Sequence, residues 1–197
     1  MNQMSTCDKY KHNMVTLVDI FSEMFSEGQE HNMVENSHTQ LFTICKLIMS
    51  KSNGEKLLTK FISKTHEHWD KIKDKNLDYF KELGLNLFDI FENKGVEHFK
   101  DDDVNKVSIL SSLKDKHIND FKQILSAEIN IDGEIKSILN DERLDEIWQI
   151  FHSFVKLSVI YIHERRKKVD GKYTIEFFPE ISVSNHANKW NIKKIKR

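Results

Sequence analysis

The sequence predicts an all-α protein, a bundle of about six or seven helices with a long helix in its C-terminal half and a short β-leaning C-terminal extension. Three observations carry this expectation. Pro179 is the single proline in 197 residues and there are only six glycines, so little in the chain interrupts helical geometry. Apolar residues recur three and four positions apart over most of the length. The widest apolar face of all lies between residues 141 and 167.

Taken in order, residues 14–25 place Met14, Leu17, Val18, Phe21, Met24 and Phe25 on one helical face, with Gly28 expected to close the helix. Ser37 and Gln40 have capping-box spacing and open a second helix through Leu41, Ile44, Cys45 and Ile48, ending near Asn53-Gly54. A third runs from Glu55 to about Lys73 on Leu57, Leu58, Phe61, Ile62, Trp69 and Ile72. A fourth covers 77–92, with Gly95 as its C-terminal stop. An acidic loop over 97–103 and shorter helices at 104–113 and 116–128 follow, and Asp132-Gly133 is read as a turn between helices. The last helix, 141–167, carries Leu144, Ile147, Trp148, Phe151, Phe154, Val155, Val159 and Ile162, and is the expected spine of the core.

Beyond Asp170-Gly171 the texture changes. Tyr173 to Phe178 is a β-leaning run ended by Pro179, expected to pair with 181–183 or to lie extended on a partner. The organisation expected is therefore a helical domain over 1–168 and an extension with a basic tail over 169–197.

A 39% hydrophobic share with 31% charged residues is polar for a globular chain, yet thirteen Phe and three Trp are too many for a disordered one. The net charge of −1 hides a polarity. From residue 163 onward ten basic residues face four acids, a net of +6, which leaves −7 on the first 162. Cys7 and Cys45 stand alone without CxxC spacing, which points to a reducing compartment and excludes a disulfide framework. No run of eighteen apolar residues is present, so no membrane span or secretion is expected, and the location expected is intracellular: cytoplasmic, nuclear or in a virion.

The chemistry-bearing motifs are incomplete. His66 and His68 lie two apart and point to different sides of a helix, so one metal cannot take both. His163-Glu164 begins an HExxH in which Lys167 replaces the second histidine. Glu128, Asn130, Asp132 and Gly133 follow the register of a calcium loop, but Leu139 stands where the bidentate carboxylate belongs. No glycine-rich phosphate loop or nucleophile elbow is present. No catalytic, metal or cofactor site is expected.

Phe61-Ile62-Ser63-Lys64, Trp69-Asp70-Lys71-Ile72, Leu87-Phe88-Asp89-Ile90-Phe91 and Ile147-Trp148-Gln149-Ile150-Phe151 resemble packing motifs of uncharacterised helical proteins of large nucleocytoplasmic DNA viruses. The resemblance touches most of residues 55–165 and carries over no catalytic residue. The abundance of Lys, Asn and Ile, whose codons are A/T-rich, agrees with such a source.

The function expected is that of a non-enzymatic interaction or structural protein. It docks a protein partner through Tyr173, Phe177, Phe178 and Trp190, aromatics that lie outside the periodic core, while terminal lysines steer the encounter. The alternative is a nucleic-acid-associated protein that uses two basic clusters: Arg165, Arg166, Lys167 and Lys168, and Lys193, Lys194, Lys196 and Arg197.

Overall fold

The computed structural model describes residues 4–33, 39–78, 120 and 123–195. Among them are six α-helices, α1 (Thr6–Glu30), α2 (Thr39–Lys51), α3 (Gly54–Thr65), α4 (Trp69–Lys73), α5 (Asp141–Arg165) and α6 (Val183–Lys189). Two antiparallel hairpins join them, β1 (Glu128–Ile131) with β2 (Glu134–Ser137), and β3 (Lys167–Val169) with β4 (Lys172–Ile175). The chain is thus mostly helical but not all-α. The helix expected at 104–113, the acidic loop and all but the first two residues of the helix expected at 77–92 lie outside the described residues. Of the helix expected at 116–128, residues 120 and 123–125 are helical, whereas Glu128 already belongs to β1.

α1 and α5, each 25 residues long, form the central pair, and α2 and α3 pack on α1. The rings of Tyr10, Phe61, Phe151 and Phe154 meet where α1, α3 and α5 converge. Tyr10 and Phe154 have centroids 4.7 Å apart, Phe61 and Phe154 5.4 Å, and Phe151 and Phe154 5.7 Å, the last two edge to face. Polar crosslinks fix the register: Asn13 Nδ2 donates to Ser153 Oγ at 2.7 Å, and Arg143 pairs with Glu27 at 2.5 Å while donating to the Ile138 carbonyl at 2.7 Å.

Helix limits follow from local chemistry. Ser5, Asn53 and Asn140 cap α1, α3 and α5, each accepting a backbone N–H of the first turn. α1 does not stop at Gly28. Glycine is there for contact, since a Cβ would lie 2.1 Å from Ile124 Cδ1. The helix runs two residues further, to Glu30, and is closed where Asn32 takes φ 56°, its N–H reaching the Gln29 carbonyl and that of Met33 the Gly28 carbonyl. Lys75 after α4 and Asn191 after α6 end their helices the same way, at φ 51° and 52°.

The helix expected over 55–73 is divided by a 3₁₀ turn at His66–His68. Thr65, fully buried, donates its hydroxyl to the Phe61 carbonyl and accepts from Trp69 Nε1, tightening the chain there. Asp132-Gly133 connects two strands rather than two helices. Both residues have positive φ, 54° and 89°, which suits a two-residue hairpin loop, and Asn130 Oδ1 accepts the Gly133 N–H at 2.9 Å. The calcium-loop register therefore falls on a hairpin, with Leu139 buried beyond it.

Candidate docking surface

α5 ends at Arg165, two residues before the expected limit, and the four bases from Arg165 to Lys168 do different work. Arg165 pairs with Glu55 at 2.5 Å, and Tyr161 donates its hydroxyl to the same carboxylate oxygen at 2.7 Å. Burial first, and then that hydrogen bond, push the Tyr161 phenol up to about 12. Arg166 turns inward. Its Nε donates to the Phe177 carbonyl at 3.1 Å, and one terminal nitrogen donates to the carbonyls of Phe178 and Ile181 at 2.6 and 2.7 Å. Lys167 and Lys168 continue into β3 and are exposed. The expected basic cluster is therefore divided: two arginines bind the protein's own groups and two lysines face solvent.

β4, the start of the expected β-leaning run, pairs with β3 and not with 181–183, and a register irregularity falls between Lys167 and Lys168. Asp170-Gly171, at φ 50° and 79°, repeats the loop geometry of the first hairpin. The boundary expected at 168/169 lies inside β3. Lys168 stands opposite Tyr173, its Nζ 4.6 Å from the ring centroid, and the Arg166 guanidinium lies 5.9 Å from the same ring. Val169 and Ile175 are 55% and 53% exposed. Hairpin β3–β4 thus projects three lysines, one half-buried tyrosine between two cations, and two uncovered β-branched side chains. Hairpin β1–β2 exposes a single large apolar residue, Ile135.

The other sequence-predicted contact residues divide. Phe177 and Phe178 are half-buried, with Phe177 edge-on to Tyr161 at 5.7 Å and to Phe178 at 4.7 Å. Trp190 is 4% exposed and belongs to the core, which corrects the expectation that it reaches outward. Val183, Ala187 and Trp190 make one apolar face on and just beyond α6, which packs on α5, and Ile181 and Ile192 are buried at either end of it. Lys193 is exposed, whereas Lys196, Arg197 and the side chain of Lys194 lie outside the described residues.

The helical body offers two open grooves of about 540 and 560 Å³ beside α1, both touching Glu23. Neither reaches His66 or His152. Among the described residues no three His, Cys, Asp or Glu side chains are grouped to hold a metal ion, and no helix is long and apolar enough to cross a membrane. Comparison with protein-family models, with curated proteins and with solved structures returned no match.

Proposed function

We propose that the protein is a non-enzymatic helical interaction protein that docks a protein partner through the start of its C-terminal extension, the hairpin of residues 167–175. The observation that carries this reading is the pair of exposed β-branched side chains, Val169 and Ile175, on a ribbon attached to the end of α5, one of the two 25-residue core helices. A lysine-bearing edge discourages indiscriminate strand pairing, while apolar residues left among those lysines favour a partner with apolar patches rimmed by acids. Tyr173, Phe177 and Phe178 support the base of this surface; Trp190 is no part of it. Cys7 and Cys45, both free, fit action in a reducing intracellular compartment. Composition and the packing-motif resemblance support a virus-encoded origin.

Affinity capture with the intact protein, beside a Val169→Asp/Ile175→Asp variant of unchanged circular dichroism, tests the reading. Loss of the captured partners in the variant is expected; equal recovery overturns it.

A nucleic-acid role is favoured by one arrangement, the Tyr173 ring flanked by Lys168 and Arg166, which suits base stacking beside a phosphate. Anisotropy of a labelled single-stranded oligonucleotide across a salt series decides it: salt-dependent binding lost in Lys167→Glu/Lys168→Glu supports the role, and no binding at low salt removes it.

A further inference from the structure

The segment after residue 180 is held to the bundle through an unusual seam, which goes beyond the docking reading. Trp69 at the start of α4 meets His186 of α6 with ring centroids 5.0 Å apart and planes at 82°. Trp190, just past α6, meets His152 of α5 at 5.2 Å and again 82°. Lys189 and Asp70 close the outer side with an ion pair. Two polar atoms in this seam, His186 Nδ1 and Trp190 Nε1, are buried without a hydrogen-bond partner among the described residues. His152 Nε2 is 3.1 Å from the Ile72 carbonyl and donates to it, which leaves its other ring nitrogen without the proton in the neutral form.

We propose that residues 181–195 form a pH-sensitive strap: protonating His152 and His186 loosens the two imidazole–indole contacts and frees the segment from α4 and α5 while the α1–α5 core stays folded. A second proton on either ring places a charge in a half-buried seam, and on His186 Nδ1, which is buried, it creates an N–H with no acceptor. The groups around each ring divide in sign. Facing His186, Asp70 of α4 favours the cation, whereas His66 of the 3₁₀ turn and Lys189 of α6 oppose it. Facing His152, the Ile72 carbonyl of α4 favours the cation, whereas Lys156 of α5 and Lys75 beyond α4 oppose it. Burial is the largest influence on both and holds each imidazole below its ordinary value of 6.5.

The sign follows. Both rings are neutral in the docked state and accept protons more readily once the segment is released, so docking is complete above pH 6.5 and weakens as pH falls below it.

Hydrogen exchange on the full chain tests this. Between about pH 7.5 and 5.5, with intrinsic rates divided out, amides of 183–192 are expected to lose protection by roughly tenfold while those of 14–25 keep theirs. His152→Gln/His186→Gln is expected to flatten the dependence. Constant protection, a uniform loss over both segments, or an undiminished dependence in the variant overturns the proposal. A gain of protection at acid pH also overturns it, since the indoles would then be holding imidazolium by cation–π attraction. A measurement that needs no variant is the NMR titration of the two rings, with midpoints below 6.5 expected; midpoints at or above it would sink the strap.

Discussion

Arg166 donates to the carbonyl oxygen of Phe178 at 2.6 Å, and Phe178 is held there at φ 55°, in the left-handed region that bulky residues avoid. The guanidinium also takes the carbonyls of Phe177 and Ile181, so one side chain closes the corner between hairpin β3–β4 and α6. Three donors fixed in one plane are a property of arginine and not of lysine.

Replacing Arg166 therefore opens that corner. Arg166→Ala is expected to cost about 2–3 kcal/mol in urea denaturation, since it strands partly buried carbonyls, and Arg166→Lys to recover less than half. A loss under about 0.5 kcal/mol would mean that water replaces the guanidinium freely.

Close helix contact at Gly28 gives a second prediction. Gly28→Ala gains helix propensity but drives a methyl group into Ile124, which is fully buried, for an expected net cost of about 1–2 kcal/mol. Ile124→Val removes the clashing Cδ1, so in a double-mutant cycle the two substitutions are expected to couple favourably by more than about 0.5 kcal/mol.

The two thiols are expected to differ in reactivity. Burial pushes Cys45 up to about 12, and burial followed by Glu55 raises Cys7, which is only half-buried. With a thiol-specific chromogenic reagent near neutral pH, Cys7 is expected to react slowly as the pH rises and Cys45 only after denaturant is added. Simultaneous labelling of both in the folded protein would contradict this burial pattern.

The hairpin surface is expected to be dispensable for folding. Ile175→Thr and Val169→Thr keep β-branching and remove apolar area that is already in water, so each is expected to change stability by less than about 0.5 kcal/mol by thermal denaturation. Larger losses would show that these side chains are packed.

The helices were legible wherever an apolar stripe was long enough to repeat. The apolar run from Leu144 to Ile162 marked α5 to within two residues at its end. The hairpins were not, because strands announce themselves through a buried alternate face and these have little of one: β2 and β3 are exposed throughout. Their turns were visible as Asp-Gly pairs, a signal that holds for hairpins more strongly than for helix connections. Trp190 was misplaced for another reason. Its stripe, Val183, Ala187 and Trp190, spans less than two and a half turns and passes through an alanine, too weak a pattern to announce a buried helix. The seam of His152 and His186 with two tryptophans joins residues scattered over 69–190, and no spacing rule brings those together.

The pairing of α1 with α5 has a consequence for how the protein is made. A ribosome releases Thr6–Glu30 more than a hundred codons before it reaches the partner helix, whose Phe154 packs on Tyr10. During that interval a sticky amphipathic rod has to be shielded, by provisional contacts with α2 and α3 or by a chaperone. Premature termination anywhere ahead of residue 141 leaves it uncovered and prone to clump.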